Sequence, residues 1–128
     1  MRSKQVIVMR KDLNMRKGKM ISQGSHASMK VLLDSMISVE DGRIFDLPID
    51  SPIKDWIEGI FTKICVSVDS EEELLEIYNK AKDSGLMCSL IQDVGLTEFG
   101  GVPTYTCCAI GPNWDTEIDP ITSHLKLL

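Results

Sequence analysis

Near one end of this chain a lysine, a glutamine and a histidine recur at helical spacing: Lys19, Gln23 and His26, with Lys30 extending the row. At ~100° per residue the four share one face of a helix. Far along the chain, Asp93 ends an apolar stretch and opens the run Asp93-Val94-Gly95-Leu96-Thr97-Glu98. A cation beside a carboxylate can orient a water and stabilise developing negative charge. A Lys–Asp site is therefore what the spacing supports. Each residue also has a plainer reading. Lys19, Gln23 and Lys30 serve equally as a solvated helix face, and His26 as packing beside a sheet. Asp93 serves as an Asx-turn residue, with Thr97 and Thr104 in the same turn.

Other chemistries are disfavoured. No serine-hydrolase elbow, P-loop or dinucleotide fingerprint occurs, and Gly18 is the lone glycine in the loop where a phosphate cradle would need several. Cys65, Cys88, Cys107 and Cys108 form no C-x-x-C pair, and His26 and His124 complete no zinc spacing. No metal and no cofactor are expected. All four cysteines lie in apolar, strand-like stretches and are expected as buried free thiols, which places the protein in the reducing cytoplasm. Cys107 and Cys108, being adjacent, should point to opposite faces of a sheet.

The elements that must position Lys19 and Asp93 follow from patterning. Val6 to Met9 reads as a strand buried on both faces, and a polar loop covers 11–18. A helix from about Lys19 to Ile37 carries a small-residue side (Met20, Gly24, Ala27, Ser28, Val31, Ser35) that lets it approach a sheet closely. Residues 38–50 read as a loop and a surface insertion. Ser51-Pro52 opens a short helix through Trp56, and Ile64 to Val68 is a second strand. Ser70 and Glu73 make a capping box for a helix that Gly85 ends. Met87 to Ile91 and Tyr105 to Ile110 are two further strands, separated by a glycine-rich loop. Gly111-Pro112 ends the last of them, and a C-terminal helix starts at Asp119-Pro120. Helical crossovers make the first three strands parallel and the hairpin-like loop makes the last antiparallel. The expected fold is a three-layer α/β/α arrangement around a small mixed four-stranded sheet, three strands parallel and one antiparallel. In such sheets sites form beyond the carboxyl ends of the parallel strands, which puts Asp93 at the edge where the first helix starts.

With 128 residues, 43% hydrophobic and 26% charged, the chain is expected to be one soluble globular domain over 1–128. No apolar run approaches the ~18 residues of a membrane span, and the start of the chain is too short in apolar residues for a signal peptide. The net charge of −5 hides an asymmetry. Residues 1–19 hold seven basic residues against one acid, so that segment carries +6 and the remainder −11. A local basic patch of this kind fits a polyanionic partner, and fits a solvated arm as well.

Taken together, several stretches resemble the archaeal/eukaryotic-type peptidyl-tRNA hydrolases. They are Lys4 to Leu13, Met15-Arg16-Lys17-Gly18-Lys19, Gln23-Gly24-Ser25-His26-Ala27, Ile91 to Glu98, Ala109-Ile110-Gly111-Pro112 and the ending Ile121 to Leu128. Only 38–50 stands outside the match. The resemblance implies hydrolysis of the ester joining a peptide to the 3′ end of tRNA, without metal, by a protein that forms a homodimer. It carries catalytic roles to Lys19, Gln23, His26, Asp93 and Thr97. Ser25 and Thr104 join the substrate-binding residues, and Arg10, Lys11, Arg16 and Lys17 would hold the CCA end. This chain departs from the family pattern at Ile21-Ser22, where alanines are common. It departs again at Leu96-Thr97-Glu98, where Arg-Thr-Gln is common, and in a following loop one residue longer. A non-catalytic tRNA- or protein-binding module on the same fold is the rival reading. The retention of Lys19, Gln23, His26 and Asp93 together counts against it.

Overall fold

The computed structural model describes residues 1–39, 44–46, 51–96 and 98–128. Strand β1 (Ser3–Arg10) leads through a loop into helix α1 (Lys17–Ser35), followed by short strands β2 (Ile37–Val39) and β3 (Ile44–Asp46). Helix α2 (Ser51–Glu58), strand β4 (Lys63–Val68), helix α3 (Glu71–Asp83) and strand β5 (Cys88–Asp93) come next. Strand β6 (Thr104–Trp114) and helix α4 (Asp115–Thr122) complete the order.

The main sheet runs β4-β1-β6-β5. The α/β class and the four-stranded mixed sheet are as expected, but the pairing differs. Only β1 and β4 pair in parallel, while β6 is inserted between β1 and β5 and runs antiparallel to both. The strands expected to be parallel are thus not contiguous. Strand β6 is longer and more central than its sequence reading, and Gly111-Pro112 does not end it. Its pairing continues to Asn113 and Trp114 across a register shift between Lys4 and Val6. A proline is accommodated at such an irregularity because no ladder N–H is needed there. Helix α4 likewise starts at Asp115, four residues before the expected Asp119, with Pro120 inside it. The stretch 38–50 contributes to an antiparallel pair, β2 with β3, rather than being all loop. Residues 40–43 and 47–50 of it lie outside the described residues.

Two apolar clusters sandwich the sheet. Even-numbered Val6 and Val8 of β1 join Val66, Val68, Leu74, Ile77, Cys108 and Ile118 beneath α3 and α4. Odd-numbered Ile7 and Met9 join Met15, Ala27, Ile91 and Cys107 beneath α1. The period of two along each strand therefore assigns the layers. Helix α1 comes close to the sheet at Gly24, where an added Cβ would meet Ile7 and Met9 side-chain atoms at 3.7–3.9 Å. Helix α3 is capped as its sequence requires, with Ser70 Oγ accepting from the Glu73 N–H at 3.0 Å. Gly85 follows it at φ +75°, a conformation glycine adopts without strain.

Candidate active site

The first turns of α1 and the carboxyl end of β5 meet, and the meeting point is Asp93. Lys19 Nζ donates to Asp93 Oδ1 at 3.0 Å, and Gln23 Nε2 donates to the same oxygen at 3.2 Å. Asp93 Oδ2 accepts from the Gly95 N–H at 2.8 Å. That last bond is the turn that Asp93-Val94-Gly95 supports, and it coexists with the Lys19–Asp93 ion pair. Gly95 sits at φ +85° with Val102 backbone atoms 2.4–2.8 Å from any added Cβ, so the turn requires glycine. Side-chain exposure is 11% for Lys19 and 13% for Asp93, so the pair is largely removed from water.

Burial pushes the Asp93 carboxyl up, but the Lys19 ammonium, the Gly95 N–H and the Gln23 amide act against it and hold the carboxyl below its usual range. Asp93 is therefore ionised at neutral pH and a weak base. Among the described residues three donors occupy three of its roughly four lone-pair positions.

Gln23 is not on a solvated face. It is fully buried, because α1 turns it toward the sheet between Asp93 and β6. Its carbonyl accepts from Thr106 Oγ1 at 2.6 Å, and Thr106 is itself fully buried. This bond fixes the amide's orientation, with oxygen toward Thr106 and nitrogen toward Asp93. Sequence reasoning missed Thr106. Its only signal is a hydroxyl within the otherwise apolar stretch of β6 at 106–110. The Phe99 ring, whose centroid lies 5.4 Å from Lys19 Nζ, was missed as well.

The other expected residues are dispersed around this core. Thr104 stands opposite Asp93 in the ladder and donates to Val102 O at 2.9 Å, a turn contact. Ser25 is exposed and returns its hydroxyl to Ile21 O, while exposed His26 borders a cleft beside β5. Thr97 lies outside the described residues. Arg10 is turned into the fold, paired with Asp12 at 2.7 Å and donating to Tyr105 O at 3.1 Å. The hydrogen bonds that Arg10 donates to Asp12, together with the Asp12 charge, raise the Arg10 pKa against burial. Arg16 meets Glu98 at 3.4 Å and Lys4 meets Asp119 at 2.6 Å. Of the seven basic residues in 1–19, Lys4, Arg10, Arg16 and Lys19 thus have carboxylate partners. Among the described residues Arg2, Lys11 and Lys17 form no ion pair.

The cysteines divide. Cys107 and Cys108 are fully buried on opposite faces, and burial pushes Cys107 up to about 12 and Cys108 well above the ordinary value. Cys65 is exposed and Cys88 half-buried, contrary to expectation. Cys65 lies within β4 (Lys63–Val68), a strand at the edge of the sheet. Among the described residues no group of histidine, cysteine and carboxylate side chains could hold a metal, and no helix is long and apolar enough to cross a membrane. A concavity of about 590 Å³ between α1 and α2 is lined by apolar side chains such as Met20, Trp56 and Phe61. It contains neither Lys19 nor Asp93.

Comparison with known proteins identifies the family of the chain. Residues 3–128 match the family model described as peptidyl-tRNA hydrolase PTH2. A peptidyl-tRNA hydrolase of Methanocaldococcus jannaschii is 45% identical over 125 residues, covering 98% of this chain and 99% of the relative. One from Methanothermobacter thermautotrophicus is 42% identical over 126 residues, at 98% and 99% coverage. One from Methanopyrus kandleri is 38% identical over 125 residues, at 98% and 97%. With a family model spanning nearly the whole chain and relatives aligned end to end, this protein belongs to the PTH2 family of peptidyl-tRNA hydrolases.

Proposed function

We propose that the Lys19–Gln23–Asp93 cluster is the seat of the peptidyl-tRNA hydrolysis that this enzyme carries out. The supporting observation is the convergence of Lys19 and Gln23, from two successive turns of α1, on one oxygen of a carboxylate about seventy residues away. A largely buried ion pair is a poor source of stability, since desolvation offsets most of its attraction. Its retention at the carboxyl edge of the sheet points to chemistry.

In this reading Asp93 holds the attacking water through its remaining lone pair and fixes its approach to the ester carbonyl. The low basicity of Asp93 makes it a positioning and electrostatic group more than a proton acceptor. Lys19 stabilises the oxyanion or the departing ribose oxygen. Gln23 holds Asp93 in place, and Thr97, four residues on in the sequence, joins the set by family resemblance. An ester is a weaker bond to hydrolyse than an amide, and no covalent nucleophile is required. The start of α1 favours anions: Arg16 at its N-cap makes no side-chain cap bond, and no acidic residue occupies the first turn. Lys11, Arg16 and Lys17 would hold CCA-end phosphates there, with Ser25 and His26 alongside. A homodimer, implied by the family, would use the apolar groove between α1 and α2, and the reaction is placed in the cytoplasm.

Turnover of purified peptidyl-tRNA tests this directly. Lys19→Ala and Asp93→Ala should each lower kcat/KM by at least about tenfold, or ~1.4 kcal/mol of transition-state stabilisation, with the fold retained. Variants with wild-type turnover would remove the proposed site.

A further inference from the structure

The two edges of the main sheet are treated differently. Strand β4 is covered by the chain's own C-terminus: Leu127 bridges Val66, the Ser67 N–H donates to Lys126 O at 2.8 Å, and the Leu128 N–H donates to Cys65 O at 3.1 Å. Strand β5 stands at the other edge, and among the described residues no strand pairs with its outer side. Its sequence, Cys88-Ser89-Leu90-Ile91-Gln92-Asp93, carries no lysine, arginine or proline of the kind that usually blunts an open edge. The open edge ends at the site carboxylate itself.

A cleft of about 550 Å³ runs along this edge. One wall is Leu90, Ile91 and Gln92 of β5, and the other includes His26, Lys30 and Leu33 of α1. Leu90 packs into the layer beneath α3 and still borders the cleft, as a residue at an open strand edge does. The same two elements supply Asp93 and Lys19, and Gln92 of the cleft directly precedes Asp93 in β5.

We propose that the peptide of the substrate docks here as an added strand along β5, in parallel orientation. This rests on the site assigned above. With the ester at Asp93, the peptide's C-terminal residue lies at the carboxyl end of β5 and earlier residues run back toward Cys88. The six residues of β5 then pair with about six residues of acyl chain, at ~3.3 Å per residue. Main-chain hydrogen bonds supply the affinity, and the cleft takes alternate side chains with little discrimination. Recognition of the backbone would let one site take acyl chains of differing sequence.

The test is a series of acyl-tRNAs from N-acetyl-aminoacyl- to octapeptidyl-tRNA, assayed with wild type and Leu33→Glu. Leu33 is 54% exposed, so the substitution leaves the core intact. For wild type, kcat/KM should rise roughly tenfold with length through KM, and level off near six residues. N-methylation at alternate peptide nitrogens should erase the gain, and exchanging alanine for serine side chains should not. Leu33→Glu should lose the gain while cleaving N-acetyl-aminoacyl-tRNA as wild type does. A flat length profile, or an equal gain with N-methylated chains, would overturn the proposal while the dependence on Lys19 and Asp93 stands. Loss of that dependence on the shortest substrate would remove the site and this inference with it. A change of sedimentation in Leu33→Glu would give the edge to a second copy of the chain and overturn the proposal too.

Discussion

Thr106→Val separates an oriented amide from a merely buried one. Thr106 is fully buried and its hydroxyl donates to Gln23 Oε1 at 2.6 Å. Valine keeps the shape and removes the donor, leaving a buried carbonyl unsatisfied at a cost of about 1–3 kcal/mol. For a chain of this size that lowers Tm by roughly 3–5 °C per kcal/mol. The second effect is on catalysis. Without Thr106 the Gln23 amide is held only by its bond to Asp93 and is free to tilt, which weakens its Nε2–H donation to Asp93 Oδ1. A hydrogen bond to a carboxylate is worth about 1.5–3 kcal/mol, which bounds the loss in kcat/KM at roughly ten- to a hundredfold. Thermal unfolding and steady-state hydrolysis of peptidyl-tRNA measure the two effects. Thr106→Ser, which restores the hydroxyl, should recover most of the activity. Wild-type Tm and kcat/KM in Thr106→Val would refute the reasoning, and so would a serine variant as impaired in turnover as the valine one.

Further outcomes follow from the same geometry. Because the Asp93 carboxyl is held below its usual range, its charge persists as pH falls. The contribution of the ion pair to stability and activity is thus present at neutral pH and lost only below the ordinary carboxylate value of about 4, so an acid limb of kcat/KM near pH 6–7 would transfer the role to an imidazole. Affinity for tRNA should fall with salt, and the salt slope should be shallower in Lys17→Ala; Glu98→Gln, which releases Arg16, should strengthen binding, and a salt-independent affinity would contradict phosphate docking at this end. A thiol reagent should label exposed Cys65 in the native protein and reach Cys107 and Cys108 only on unfolding, with hydrolysis continuing after Cys65 is blocked.

The parts of this structure legible in the sequence were those written in local pattern. The Ser70–Glu73 cap, Gly85 and the apolar runs of β1 and β4 each specify an element through neighbouring residues. Lys19 and Asp93 were legible because the carboxyl edge of the sheet gathers both. Other features were not. The place of β6 between β1 and β5 is decided by pairing between distant strands, which hydrophobic period does not encode. The length of β6 was hidden by Gly111-Pro112, since only the register shift opposite Lys4 and Val6 makes a proline acceptable there. Gln23 was assigned to a polar face by its type. Its burial is made possible by Thr106 and Asp93, two partners more than 60 residues away that satisfy both ends of its amide. The charge of 1–19 was legible as a number but not as a surface, because Asp119, Asp12, Glu98 and Asp93 neutralise four of its cations.

The claim that Asp93 acts on the ester and not on docking is tested most directly by a single-turnover experiment. Asp93→Asn, in excess over N-acetyl-aminoacyl-tRNA, is followed for ester cleavage while Kd is measured separately. The variant should bind tRNA within about threefold of wild type and cleave at least about tenfold more slowly. Cleavage at the wild-type rate, or a defect confined to Kd, would contradict the account.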